Sequence, residues 1–432
     1  MANLLDQASI VLTPTAYDNG KVLCAKPSEP PYGDFDFSRN SAATRVNAQG
    51  LVENVQILSS NLVQNGDFSE EGVQEVSNGS FSQEGVEEIS NGDFATDSDW
   101  LFGGSASISN GSANFTGSGD LIRQNATTPS GTYKITFTVT GTGYLVVKNY
   151  TGGVSYKEYT NISQGEHTIY VEKNEDGIMF QSFGFASSID NVSVREVGQD
   201  WTFVGEAELT EQGARILSTS GGYSAITQGS ILIVGKQYKL TFDVVSSNGA
   251  GLTINNGDLN NIPTPLGSNT HYFQSSQVSL EIKRSGSVTD VSITNISVKE
   301  VGMDWTVING TITDKYNASM TAYQSGIRVT PFSNTGTFKV TFDLVVTSGS
   351  CKFDAGGGND AIYTTSGTKE KIITNTTKFE FNAFNLGWVG TLDNVSVIEI
   401  TDDTNLPRIN YEGFSYQDAL GSELVTGGNF SN

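Results

Sequence analysis

Three stretches decide the fold: Tyr133-Lys-Ile-Thr-Phe-Thr-Val139, Tyr238-Lys-Leu-Thr-Phe-Asp-Val244 and Phe338-Lys-Val-Thr-Phe-Asp-Leu344. In each, apolar and polar residues alternate, the period of a strand with one buried and one wet face. The central Phe137, Phe242 and Phe342 stand 105 and 100 residues apart. A second marker precedes each stretch: Asp99-Trp100, Asp200-Trp201 and Asp304-Trp305. A third follows it: Asp190-Asn-Val-Ser-Val194, Thr294-Asn-Ile-Ser-Val298 and Asp393-Asn-Val-Ser-Val397. Three markers with one spacing define a tandem repeat of about 100 residues.

Half-buried alternating strands belong to antiparallel sheets. Asn110-Gly111, between Ser105-Ala-Ser-Ile-Ser109 and Ser112-Ala-Asn-Phe-Thr116, is a hairpin signal. Many short strands in units of this size fit an all-β protein of tandem antiparallel, jelly-roll-like β-sandwich modules with short non-repeat β-rich ends. The Trp and the internal Phe are expected to fill the space between two sheets. The expected organisation is a non-repeat N-terminal segment (1–60), a linker of 13-residue repeats (61–90) and three modules (91–198, 199–302 and 303–400). Residues 401–432 continue the N-terminal segment and begin a further module. The linker repeats are Asn65-Gly-Asp-Phe68, Asn78-Gly-Ser-Phe81 and Asn91-Gly-Asp-Phe94. Only the third leads into a module. The first two read as duplicated module starts, acting as linker or as extra edge strands. The stretch Glu423-Leu-Val-Thr-Gly-Gly-Asn-Phe-Ser-Asn432 matches Asn61-Leu-Val-Gln-Asn-Gly-Asp-Phe-Ser69, so a longer polypeptide is expected.

Composition narrows the function. The chain has 432 residues, 48 of them Gly, and only 16% are charged, so tight turns and strands are favoured over long helices. A net charge of -23 disfavours nucleic acid and anionic lipid as partners. No run of about 18 apolar residues occurs, so no span across a bilayer is expected. The start, Met-Ala-Asn-Leu-Leu-Asp, lacks a secretory pattern. Cys24 and Cys351 lie in different segments and read as thiols in a chain made in a reducing cytosol. Asn-x-Ser/Thr triplets such as Asn125-Ala-Thr therefore imply no glycosylation.

Catalytic signatures are sparse. His167 and His271 are 104 residues apart, the module spacing, and read as equivalent strand positions rather than one site. Metal-binding His or Cys pairs, a nucleophile elbow and a phosphate loop do not occur. Asp354-Ala-Gly-Gly-Gly-Asn-Asp360 reads as a loop between strands. No enzymatic activity and no required cofactor are expected. Tyr144, Tyr150, Tyr156, Tyr159, Tyr316, Tyr323 and Tyr363 are candidate glycan platforms, because sugars lay apolar C–H faces on exposed rings.

Two resemblances add to this reading. Asn91-Gly-Asp-Phe94, Trp100 and Asp190-Asn-Val-Ser-Val194 resemble the ends of jelly-roll carbohydrate-binding modules. That resemblance implies a structural Ca²⁺, with Asp93 and Asp190 as ligands in module one and Asp393 in module three. Module two has Thr294 at this place, and modules two and three lack the Asn-Gly-Asp-Phe start. The outer segments, Asp36-Phe-Ser-Arg-Asn-Ser-Ala-Ala-Thr-Arg-Val-Asn-Ala-Gln-Gly-Leu-Val-Glu53 and Leu406-Pro-Arg-Ile-Asn-Tyr411, resemble two halves of a unit in head-spike and fibre proteins of tailed bacteriophages. The resemblance implies a structural protein on the virion surface, a head or tail fibre or spike, with residues 1–60 as the virion-anchoring segment and 401–432 as its continuation. Its modules would serve host-surface glycan adhesion or form a stalk. The implied partners are other capsid or tail proteins and copies of itself, such as a trimer. A bacterial extracellular carbohydrate-binding array and a polysaccharide depolymerase are the alternatives.

Overall fold

A computed structural model describes residues 60–400 except 127–129, 174–175, 256, 330–333 and 357–359, together with the backbone of short strands from Pro14 to Ser59. Every regular element among the described residues is a strand. By backbone contacts the chain divides into two compact units. One holds residues 67–320 with 325–327; the other holds 1–66, 321–324 and 328–432.

The first unit contains two sandwiches with the same strand order. In the first sandwich, one sheet runs Ser107–Ser109, Ser112–Asn114, Ser188–Val197, Gly131–Thr140, Gly165–Lys173. The facing sheet runs Ser155–Ile162, Gly143–Lys148, Ile178–Ser182, Leu121–Gln124, Leu101–Gly103. The second sandwich repeats this with Glu208–Thr210, Gly213–Ser218, Thr289–Val301, Gln237–Gly249, Gly267–Gln274. Its facing sheet is Leu259–Ile262, Leu252–Ile254, Leu280–Arg284, Ala225–Gln228, Thr202–Val204. The sequence markers occupy matching places. Tyr133, Ile135, Phe137 and Val139 are buried in one core, and Tyr238, Leu240, Phe242 and Val244 in another. The expected hairpin is present: Ile108 faces Ala113 across Asn110 and Gly111, both at positive φ. The rings of His167 and His271 stack on Phe137 and Phe242, at 5.5 and 5.7 Å.

In the other unit, the long strands Asn334–Asp354 and Phe379–Ile400 pair antiparallel, and Gly367–Thr376 pairs with the first of them. Phe338, Val340, Phe342, Phe353, Phe381 and Trp388 are buried here. The Gly-rich stretch after Asp354 joins two paired strands, with Cys351 facing Tyr363. The Cys351 thiol is buried, and burial pushes its pKa far upward, which makes it inert.

Of the two roles open to the early repeats in residues 61–90, linker or extra edge strand, the structure shows edge strands. The 13-residue repeats are the missing starts of the later modules, and they are used in reverse order. Glu84–Glu87 pairs with Ser188–Val197, and the following Phe94 packs on Trp100, ring centroids 5.2 Å apart. The preceding repeat skips this sandwich. Glu71–Gln74 pairs with Thr289–Val301, and Phe81 packs on Trp201 at 5.4 Å. The earliest repeat reaches furthest. Leu58–Asn61 pairs with the strand ending at Ile400, and Phe68 packs on Trp305 at 5.1 Å. Sequence proximity misled here, because the Asn-Gly-x-Phe start of a module can lie more than 100 residues before its Trp.

The contacts are the same each time. Asn65, Asn78 and Asn91 adopt left-handed φ of 46, 46 and 49°, a conformation Asn tolerates better than most residues. The next residue must be Gly. A Cβ on Gly66, Gly79 or Gly92 would lie 1.9, 2.0 or 2.0 Å from the carbonyl oxygen of Val395, Ile296 or Val192. That close approach lets the N–H of Val395, Ile296 and Val192 donate to the glycine carbonyls at 2.8, 2.9 and 2.9 Å. In the first two sandwiches, buried Gln124 and Gln228 act as substitute strand partners. Each accepts from and donates to the backbone of Ser90 or Ser77 at 2.7–3.0 Å.

Phe81→Ala should therefore destabilise the second sandwich by about 3–5 kcal/mol, the usual cost of removing a buried Phe side chain. Limited proteolysis of the full chain checks this. New cleavage is expected between residues 199 and 302, with 95–197 still resistant. Unchanged protection of the second sandwich would show the contact to be dispensable.

Candidate functional site

The outer face of the Gly143–Lys148 sheet gathers the largest group of ring and polar side chains among the expected Tyr residues. Alternation along this strand turns Leu145 and Val147 into the core and Tyr144 and Lys148 outward. The Tyr144 ring lies 5.4 Å from that of Phe183, which is 43% exposed. Lys148 Nζ sits 5.1 Å over the Phe183 ring and donates to Gln181 Oε1 at 2.8 Å. The Tyr144 hydroxyl donates to Glu158, and this hydrogen bond raises the phenol pKa. At the sheet's end, the Arg123 guanidinium lies 4.7 Å over the Tyr150 ring. The result is a partly exposed aromatic surface edged by an ammonium, a carboxamide and a carboxylate. Rings of this sort stack on apolar faces, and the edge groups donate and accept hydrogen bonds.

The second sandwich carries a smaller version on its corresponding sheet. Tyr223, 50% exposed, donates to Glu281 Oε2 at 2.6 Å, and Lys283 Nζ lies 2.7 Å from Glu281 Oε1. Burial, and then the Glu281 hydrogen bond and charge, push the Tyr223 pKa up to about 12.

The other expected tyrosines fall elsewhere. Tyr316 is fully buried and its hydroxyl donates to the Asn309 carbonyl, which corrects its reading as an exposed platform. The strand Tyr316–Met320 alternates inward at Tyr316, Ala318 and Met320, so the ring is core. Tyr156 and Tyr159 pack against the first core, and the Tyr159 ring also meets His167 at 5.5 Å. Tyr363 is half-buried, edge-on to Phe342 at 5.4 Å. Tyr323 is 59% exposed. Phe183 and Tyr223 were missed in the sequence. Neither stands in a Tyr-rich loop, and only the alternation of the neighbouring strands hints at an outward face.

The aspartates of the calcium expectation have turn and bulge roles. Asp93 Oδ1 accepts from the Ala95 N–H at 3.3 Å. Asp190 and Asp393 each accept from the N–H of the next residue, Asn191 at 2.6 Å and Asn394 at 2.8 Å. Both asparagines have φ of 50°, at a register shift in the strand pairing. Among the described residues, no cluster of three or more His, Cys, Asp or Glu side chains suited to a metal ion occurs.

A cavity of about 580 Å³ lies between the two sandwiches of the first unit. Tyr170, Trp201 and Phe203 form its apolar wall, while Glu172, Glu196 and Glu206 line the rest. Among the described residues, no Lys, Arg or His lines it.

No protein family and no curated protein matches the sequence. Two solved structures are similar in part. One is the N-terminal CBM22-1–CBM22-2 tandem domain of Paenibacillus barcinonensis Xyn10C, at 8% identity and a TM-score of 0.21, covering 73% of this chain and 98% of that one. The other is the triple jelly-roll fold of an archaeal virus turret assembly, at 12% identity and a TM-score of 0.20, covering 70% and 89%. At these values neither likeness bears on function.

The phenol shifts carry a pH dependence. Burial also pushes Tyr133 up to about 12. A phenol raised from about 10 in the unfolded chain favours the fold while it is protonated. Its contribution is complete below pH 10 and is lost as pH rises through about 12. Absorbance at 295 nm should show late-ionising tyrosines in the folded chain, and Glu281→Gln should bring one of them part of the way back toward 10. A titration identical in the variant would remove the Tyr223–Glu281 contact from the account.

Proposed function

We propose that this chain is a structural protein of a bacteriophage virion, a head or tail fibre or spike. Its sandwiches are held out from the particle and serve as a stalk or bind host-surface glycan. The nested order of the module starts carries the reading. The innermost pair joins 84–94 to 188–197, the next joins 71–81 to 289–301, and the outermost described joins 58–66 to 395–400. The next flanks outward are Asp36–Glu53 and Leu406–Tyr411, the two stretches that resemble halves of one phage head-spike unit. Nesting of this kind is the expected result of modules inserted one inside another within such a unit.

The Tyr144–Phe183 surface supports the adhesive form of this reading. Its ring area is small, so a single contact would be weak, and several copies on one particle would gain by avidity. No catalytic step is proposed. The carboxylates of both faces are engaged, Glu158 by Tyr144 and Glu281 by Tyr223 and Lys283. The virion surface is the proposed location, with capsid or tail proteins and further copies of the chain as partners.

Mass spectrometry and antibody-labelled electron microscopy of purified particles test the assignment; absence of the chain from virions would reject it. The adhesive form predicts retention of the full chain on a host-polysaccharide array. Phe183→Ala and Tyr144→Ala should each weaken retention by at least about tenfold, the loss of one stacking contact of ~1.4 kcal/mol. Retention unchanged by both substitutions would place any sugar site elsewhere, and no retention at all would leave the stalk reading.

A further inference from the structure

The starts of the first two sandwiches dock in grooves of the same chemistry. Residues 71–81 and 84–94 are identical at eight of eleven positions, differing only at Gln74/Glu87, Val76/Ile89 and Ser80/Asp93. Glu71 lies 2.5 Å from Lys239 and 3.0 Å from Lys299; Glu84 lies 2.7 Å from Lys134 and 3.8 Å from Arg195. Gln74 Oε1 accepts from the Val298 N–H at 2.8 Å, as Glu87 Oε1 does from Val194 at 2.7 Å. The indole N–H of Trp201 donates to the Asn78 carbonyl at 3.2 Å, as that of Trp100 does to Asn91 at 3.0 Å. Val76 and Ile89 enter the two cores, one methylene apart in size.

None of the three differences supplies a mismatch. Glu87 also meets Arg195 at 3.4 Å, and the second sandwich has the cation Lys299 at the corresponding place. Asp93 and Ser80 are exposed, and their side chains bond within the turn, Asp93 accepting from the Ala95 N–H at 3.3 Å and Ser80 meeting the Ser82 hydroxyl at 2.7 Å. Contacts alone therefore do not tell one segment from the other. Chain connectivity, which sets the local concentration of each segment at its groove, is left to do so.

We infer that these sandwich ends are general docking grooves for the Asn-Gly-x-Phe segment, and that a groove accepts this segment from a second copy of the chain as well as from its own. Copies of the chain would then join by exchanging segments, each exchanged segment making the same contacts in trans. Exchange of an identical element is a low-cost route to association, because no new interface has to form. The exposed Val73 and Val86, on strands paired on one side only, mark these segments as the outermost part of each sheet and the first able to leave it. The inference is independent of what the modules bind.

Two experiments on the full chain test it. In the first, the segments are transposed in place by Q74E, V76I, S80D, E87Q, I89V and D93S. Interchangeable segments predict a melting temperature within about 5 °C of the parent, the scale of a 1 kcal/mol change. A larger fall, or failure to fold, would show that each groove selects its own segment and would overturn the inference. In the second, equal amounts of two differently tagged chains are unfolded and refolded together. Mixed species are expected to rise with protein concentration, and to be suppressed by excess synthetic peptide 71–82 but not by that peptide carrying Gly79→Val. Absence of mixed species at every concentration, or mixed species indifferent to the peptide, would equally overturn it.

Discussion

The structure depends on one close approach of backbone to backbone. At Gly66, Gly79 and Gly92 the chain passes so near a carbonyl on the last strand of a sandwich that any side chain would collide with it. The glycine permits a hydrogen bond there, and left-handed turns at the preceding Asn and at the Phe two residues on bring that Phe onto a Trp. Each sandwich end is thereby sealed by a segment that need not be near it in sequence. A buried indole and phenyl pair contributes more than its area alone, and the desolvated backbone groups around it are satisfied by Gln124 and Gln228 rather than left open. Sealing at a distance makes an entire sandwich conditional on residues far upstream of its own Trp.

This constraint also shapes what the modules can present outward. The sheet joined by the closing segment spends its polar residues on ion pairs, such as Glu71 with Lys239 and Glu84 with Lys134. The opposite sheet is free of that role. Its outward positions carry Tyr144, Lys148 and Gln181 in the first sandwich and Tyr223, Glu281 and Lys283 in the second. The recurrence of a Tyr–Glu pair on both faces, from unrelated positions in the repeat, shows the same surface chemistry reached with different residues. Tyr144 precedes its strand's inward Leu145, whereas Tyr223 approaches from a loop.

Much of this was legible in the residue pattern. The all-β class, the hairpin at Asn110-Gly111 and the burial of the Trp and Phe markers follow from period, turn chemistry and repetition, which are local properties. The assignment of binding tyrosines was less legible. Tyr316 and Tyr144 both occur in polar, Tyr-containing stretches, yet one is core and the other surface. What separates them is a shift of one residue in the strand's alternation, and a loop-rich sequence does not specify that phase. Phe183 escaped notice for the converse reason: it follows the strand Ile178–Ser182, whose own residues are mostly core, and its ring turns outward only beyond the strand's end.

The pairing of starts with modules shows where sequence and tertiary structure divide the work. By itself the sequence determined a threefold repeat of alternating strands and aromatic landmarks, and with it the all-β class. It also determined that three Asn-Gly-x-Phe segments are available, since Gly is demanded by the close approach and Phe by the core. Which segment closes which sandwich was decided only in three dimensions. The two later segments, 71–81 and 84–94, are nearly identical in chemistry, so no residue in them encodes the match. The choice follows from how the chain brings its distant parts together, with the last segment taken by the first sandwich and the earlier ones by those that follow.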